Sequence, residues 1–236
     1  MRQYIRRKAY AVARRVIPSV RERHRRESER RRLELMVGPP GHWDAIQQYQ
    51  LQVLTSMGLA PQHTLLDVGC GPLSGGLAFI PHLDAGKYFG IDLEPASIAE
   101  AHVQLAKAGL AHKNPYLAVS NTFGREELGD RTFDYIWASQ IMYHFDNATM
   151  EAFLERIASY MVADSRFYGD IIGYPNEVGP HSYWKQFSFY LHELEYLEEV
   201  GRRHGLTMKN VGAIEAFGYP KEIALRTNTL LEFRKA

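Results

Sequence analysis

From residue 42 onward the apolar positions follow two alternating periods. Short apolar runs ending at glycine or aspartate predict buried strands, and longer stretches with apolar residues three and four apart predict helices. Residues 43–57 predict a helix closed by Gly58 and Pro61. Residues 64–68 predict a strand that runs into glycines, and 75–83 a helix directly after it. The alternation continues with strands at 87–93, 116–120, 133–139 and 165–172. Helices at 95–110 and 149–162 separate some of them, the former with proline in its first turn. A helix at 194–204 stops at Gly205, and late strands follow at 207–211 and 223–226, with 229–233 extending the last. The fold class is therefore α/β, a Rossmann-like doubly wound, mostly parallel, seven-stranded sheet.

Residues 1–37 differ in kind. Ile5, Ala9, Val12, Val16 and Val20 recur at helical spacing, arginines fill much of the rest, and Pro18 interrupts or kinks the pattern. This segment holds 13 Lys+Arg against 4 Asp+Glu, a formal charge of +9. The remainder holds 15 against 23, or −8, so the whole-chain value of +1 hides a strong asymmetry. Gly38-Pro39-Pro40-Gly41 breaks the chain after it. The expected organisation is a basic helical arm, 1–37, before one domain, 38–236. The arm permits three readings. It lies on an anionic membrane surface, it binds an anionic polymer or phosphorylated substrate, or it is a solvated arm that packs on an acidic partner subunit, as in a homodimer, or lids the site. The last is favoured, and nucleic acid is disfavoured because no recognition motif accompanies the charge.

At 45% hydrophobic the chain can bury a substantial core. A single cysteine, Cys70, excludes an internal disulfide. No apolar run is long enough to span a bilayer, and no apolar segment follows the basic N-terminus as in a secretory signal. The expected location is cytoplasmic, with a peripheral membrane contact permitted by the arm.

The strongest chemical signal is Leu65-Leu66-Asp67-Val68-Gly69-Cys70-Gly71-Pro72, where the first strand turns into a helix. Ligands of open parallel sheets bind beyond the carboxyl ends of the strands, and glycine lets the backbone approach them. Asp92 ends the second strand, where a carboxylate accepts from both hydroxyls of a ribose. A dinucleotide site wants a third glycine where this chain has Ser74, and Asp67 would repel a pyrophosphate. A cationic amino acid end would be attracted instead. The charge argument favours S-adenosylmethionine over a nicotinamide cofactor.

These residues resemble the class I S-adenosylmethionine-dependent methyltransferases. The stretch 65–72 is similar to that family's first motif, Tyr88-Phe89-Gly90-Ile91-Asp92 to its second-strand signature, and Phe133-Asp134-Tyr135-Ile136-Trp137-Ala138-Ser139 to its fourth-strand motif. The resemblance covers about residues 42–236. It implies that Asp67, Gly69, Cys70 and Gly71 surround the methionine part, that Asp92 and Leu93 hold the ribose, and that Asn121, beside Ser120, contacts adenine. Ser139 at the end of the fourth strand joins this set.

Methyl transfer requires alignment of nucleophile, methyl and sulfur in a site that excludes water. A hydroxyl acceptor benefits from a general base. His144, just after the fourth strand, is the candidate base, since imidazole titrates near neutrality; the alternative is a histidine packed in the loop. Asp146 either orients His144, shares a divalent cation, or caps the helix that follows. No spaced set of His, Cys, Asp and Glu demands a metal. Asp170, near the end of the fifth strand, either lines the same cleft or is a satisfied strand-end carboxylate. The aromatic-rich segment 173–189, with Tyr174, His181, Tyr183 and Trp184, is the expected acceptor pocket, and His42 and Trp43 are candidates to close it. The sequence thus points to O-methylation of a sugar, glycan or other small molecule. N-methylation of a lipid head group or small amine, recruited by the arm, and a non-catalytic cofactor-binding module are the alternatives.

Overall fold

The computed structural model describes residues 18–38, 40–172, 189–224 and 228–236. The chain divides into two units, Met1–Gly41 and His42–Ala236. In the first, helix α1 (Pro18–Val37) carries an Arg30–Glu34 pair at 3.2 Å. The other Glu34 oxygen accepts from the Gly41 N–H at 2.9 Å, so the acidic side chain ties the helix end to the glycine turn beyond it. Pro18 stands at the first position of this helix, where a missing N–H costs nothing.

In the second unit the apolar runs of the central strands are buried on both faces, because helices cover the sheet on either side. In chain order the elements are α2 (Trp43–Ser56), β1 (Leu65–Val68), α3 (Gly76–His82), β2 (Tyr88–Asp92), α4 (Pro95–Lys107), β3 (Tyr116–Val119), α5 (Arg125–Leu128), β4 (Tyr135–Ala138), α6 (Asn147–Ser159), β5 (Arg166–Ile172), α7 (Leu194–Arg203), β6 (Leu206–Ala213) and β7 (Asn228–Lys235). Short 3₁₀ turns lie at Ala111–Lys113, Met142–His144 and Ile214–Phe217.

The sheet order is β3-β2-β1-β4-β5-β7-β6. Strands β1 to β5 pair in parallel, and β7 lies antiparallel between β5 and β6. Two cores fill its two faces. Leu66, Val68, Ile136 and Phe167 pack with Phe153, Leu154 and Ile157 of α6 and Leu197 and Val200 of α7. Leu65, Trp137 and Tyr168 pack with Tyr49, Val53 and Leu54 of α2, Phe79 and Ile80 of α3, and Ala101 and Leu105 of α4. The seven-stranded doubly wound sheet expected from the pattern is the one observed.

Of the strand expected at 223–226, Ile223 and Ala224 lie in a turn in which both N–H groups bond the Pro220 carbonyl, and Leu225 and Arg226 lie outside the described residues. Strand β7 runs from Asn228, and its antiparallel direction brings it back along β5. Among the described residues no helix is long and apolar enough to cross a membrane.

Candidate functional site

The chain runs β1, β2, β3 toward one edge and then returns to place β4 on the other side of β1. The order therefore reverses between β1 and β4, and the crevice beyond their carboxyl ends is where open α/β sheets bind ligands. Gly69 and Gly71 leave β1 at this point, and Ser139 and Gln140 leave β4.

Gly69 and Gly71 both adopt left-handed backbone, φ +74° and +54°. A Cβ on Gly69 would also lie 2.7 Å from Cγ2 of Ile141, in the loop after β4. The turn is tied to β2 from below. The Gly69 and Cys70 N–H groups bond the Ile91 carbonyl at 2.8 and 3.1 Å. The Gly71 N–H donates to Oδ2 of Asp92 at 2.9 Å, and Oδ1 of Asp92 accepts from the Glu94 N–H at 2.9 Å. Burial raises the Asp92 carboxyl above its ordinary range, and these two backbone donors oppose the rise. Asp92 is thus fixed at the strand tip with acceptor capacity to spare. Leu93 beside it is 63% exposed, and Val119 at the tip of the neighbouring strand β3 is 40% exposed. Asn121 is also exposed, while Ser120 turns its hydroxyl inward to accept from the Thr122 and Gly124 N–H groups. Cys70 is buried, and burial pushes its thiol up.

Asp67 lies beneath the turn. Its carboxylate is buried and accepts from the Tyr88 hydroxyl at 2.6 Å. Burial raises its pKa to about 7; the Tyr88 bond opposes this and the Asp92 charge adds to it. In the parallel register Asp67 faces Gly90, while Tyr88 faces Leu65. A Cβ at position 90 would sit 3.1 Å from the Tyr88 ring, so the absent side chain clears the diagonal that the phenol spans. The carboxylate that the sequence sets against a cation is therefore held within the fold by a phenol two residues away on the same sheet face.

The loop after β4 forms the other wall. Gln140 has φ +61°, a left-handed conformation that costs a non-glycine residue energy. Asp170 on β5 compensates. Its Oδ1 accepts the Gln140 backbone N–H at 2.8 Å and its Oδ2 the Gln140 side-chain amide at 2.5 Å. The Gln140 amide oxygen in turn accepts from Tyr143 at 3.0 Å and Tyr219 at 3.1 Å. Asp170 is fully buried; burial raises its pKa to about 7, against the opposing bonds from Gln140 and the nearby Asn228 and Ser139 side chains. The Ser139 hydroxyl and both Asn228 amide atoms are buried without a hydrogen-bond partner of good geometry. The same loop carries His144 at the end of a 3₁₀ turn, its ring 4.6 Å from that of Tyr143 and 5.2 Å from that of Phe189. The segment before α7 is laid along this loop: the Tyr190 N–H bonds the Tyr143 carbonyl, and His192 Nε2 lies 2.8 Å from the Phe145 carbonyl.

The remaining candidates separate. Asp146 caps α6, its Oδ1 accepting the Thr149 N–H at 2.8 Å; hydrogen bonding from the Thr149 side chain first, and from its backbone N–H second, lowers its pKa. His42 precedes α2 as its N-cap residue without a side-chain cap bond, and Trp43 is buried at 4% exposure. Tyr174, His181, Tyr183 and Trp184 lie outside the described residues. Among the described residues no group of three or more His, Cys, Asp and Glu is placed to hold a metal ion. Sequence reasoning missed Gln140, Tyr143, Tyr219, Asn228 and Gln50. Gln50 accepts from the Trp137 indole N–H at 2.8 Å beneath β4. Nothing in the local pattern marks these residues, because most of their partners come from distant strands and helices.

The tip of β1 offers backbone without side chains, the tip of β2 a braced carboxylate, and β2 and β3 an exposed aliphatic shelf. These fit a nucleoside with a charged amino acid tail. A methyltransferase-domain family model matches residues 66–167, the span that contains this turn, Asp92 and the β4 loop. No curated protein matches. Solved structures share the fold. Magnesium protoporphyrin IX methyltransferase from Synechocystis, with bound S-adenosylmethionine, is 17% identical over 82% of this chain and 81% of that one, at TM-score 0.60. An S-adenosylmethionine-dependent methyltransferase from Clostridium acetobutylicum is 12% identical over 82% and 92%, also at 0.60. Mitomycin 7-O-methyltransferase is 17% identical over 96% of this chain and 60% of that one, at 0.59. Residues 66–167 thus match a methyltransferase domain, and the chain shares its fold with S-adenosylmethionine-dependent methyltransferases.

Proposed function

We propose that this enzyme methylates a hydroxyl on a small molecule or glycan, with His144 as the general base. The observation that carries the reading is one loop with two duties. Residues 139–145 bring Ile141 against Gly69 of the cofactor turn and, three residues later, His144 into an aromatic cluster with Tyr143 and Phe189. The resemblance to mitomycin 7-O-methyltransferase supports oxygen as the acceptor atom.

In this reading Gly69, Cys70 and Gly71 receive the methionine part of the cofactor, Asp92 the ribose, and Leu93 and Asn121 the adenine side. Ser139 lies at the β4 tip beside the methionine end. Bound there, S-adenosylmethionine supplies a methyl group activated by a cationic sulfur. The protein's share is orientation, exclusion of water, and a place for the proton. The His144 imidazole takes the acceptor's hydroxyl proton, a contribution of about a hundredfold or more. Tyr143 and Phe189 hold the ring, and Tyr174, His181, Tyr183 and Trp184 with His42 and Trp43 complete the acceptor pocket. The basic arm, residues 1–37, forms a separate element that contacts an acidic surface, either a second copy of this chain or an anionic membrane.

A screen of sugars, oligosaccharides, phenols and amines with methyl-labelled cofactor identifies the acceptor. His144→Ala then lowers kcat on it by about a hundredfold with S-adenosylhomocysteine affinity unchanged. Turnover of that variant near the wild-type rate overturns the base role, and label transferred only to amines overturns the acceptor class.

A further inference from the structure

Asp170 has no assigned part in the reaction, yet it is a buried carboxylate at the carboxyl end of β5 beside the switch point. Both its oxygens are committed to one residue, Gln140, through its backbone N–H and its side-chain amide. Such a double acceptor holds a left-handed non-glycine residue that otherwise relaxes. The next residue is Ile141, whose Cγ2 occupies the space a Cβ on Gly69 would take.

We infer that Asp170 is a positioning residue that, through Gln140, sets Ile141 against the Gly69 turn and so fixes the shape of the cofactor cradle. The inference rests on the placement of the cofactor at residues 69–71 proposed above, and on neither the acceptor nor His144. The groups facing the pair come from every element packed on it. They are Tyr49 from α2, Ser139 and Tyr143 from the β4 loop, Tyr219 after the Ile214–Phe217 turn, and Asn228 at the start of β7. Glu215 adds a negative field at Tyr49. None of these groups is a cation, so nothing but the amide donors and the neighbouring polar side chains stabilises the ionised carboxylate. A protonated Asp170 turns one acceptor oxygen into a hydroxyl and loses the side-chain amide bond. Support from Asp170 therefore strengthens as pH rises through neutrality.

Calorimetric titration of the full chain with S-adenosylhomocysteine at pH 6, 7 and 8 tests this. The variants are Gln140→Ala, Asp170→Asn, the two combined, and Gln140→Glu, with Asp92→Ala as an independent check on cofactor placement. Thermal melts establish that each is folded at the titration temperature. Gln140→Ala and Asp170→Asn each weaken binding at pH 8 by about tenfold, the worth of one hydrogen bond to a charged group, and the double variant is no weaker than either alone. Gln140→Glu inverts the pH trend: two facing carboxylates share one proton at pH 6 and repel at pH 8. Asp67 titrates in the same range in all variants, so the differences between variants carry the test. A merely structural Asp170 lowers the melting temperature but leaves affinity and its pH trend alone. Unchanged affinity in the single variants, additive losses in the double, or a wild-type pH trend in Gln140→Glu overturns the inference. Wild-type binding by Asp92→Ala removes its premise instead, a result distinct from any confined to positions 140 and 170.

Discussion

The Tyr88 hydroxyl donates to the Asp67 carboxylate at 2.6 Å, joining the tip of β1 to the base of β2 beneath the turn at residues 69–71. The bond exists because Gly90, opposite Asp67, leaves the diagonal open. Tyr88→Phe leaves a buried carboxylate oxygen without its donor. Stability falls by about 1–3 kcal/mol, and the Asp67 pKa rises further, since the lost bond was lowering it. Chemical denaturation and titration of Asp67 by carboxyl-carbon NMR read both effects. An unchanged denaturation midpoint contradicts this role.

Asp67 and Asp170 make the stability of the free protein fall as pH rises. Each has a folded-state pKa of about 7 against an ordinary value of 3.8. The folded chain therefore keeps two protons that the unfolded chain releases between those values. The contribution is fully present below pH 3.8 and is lost as pH climbs through about 7. Melting temperature without ligand drops by several degrees between pH 5 and pH 8, and Asp170→Asn flattens the slope. A melting temperature that rises across this interval for the wild type, or the same slope in the variant, contradicts the assignment.

Asp146 works in the opposite sense. Hydrogen bonding from the Thr149 side chain and backbone lowers its pKa, so its contribution is present above the ordinary carboxylate range and disappears as pH falls through the lowered value. Asp146→Ala lowers the melting temperature by a few degrees at pH 7 and changes it less at pH 3. The variant binds S-adenosylhomocysteine as the wild type does. A loss of binding assigns Asp146 to the site rather than to the helix.

Much of the sheet is legible in the sequence because the parallel strands are short and apolar, and β1 and β2 stop at a glycine or a carboxylate. Residues 65–68 and 88–92 show this, and Gly71, just beyond the first, meets Asp92 at the end of the second, as the pairing of β1 with β2 allows. Ile223 and Ala224 open a run that reads as a strand, yet they lie in a turn whose N–H groups are held by the Pro220 carbonyl. The carboxylate before the glycines, Asp67, is plain in the sequence, but the direction of its side chain is not. That direction depends on the register of β1 against β2 and on the missing side chain of Gly90. The clamp on Gln140 was invisible for the same reason. Asp170, Tyr219 and Asn228 reach it from elements far apart in the chain, and no local period records them.

The contact between the turn at residues 69–71 and Asp92 at the end of β2 is central to cofactor binding as proposed. Titrating the protein with S-adenosylhomocysteine, beside Asp92→Ala and Gly69→Ala, measures it. Asp92→Ala removes the brace on the Gly71 N–H, and Gly69→Ala puts a methyl into Ile141 at φ +74°. The expected result is one site in the wild type and at least a tenfold loss in each variant. Undiminished binding in both variants, or uptake of a nicotinamide dinucleotide in place of S-adenosylhomocysteine, contradicts it.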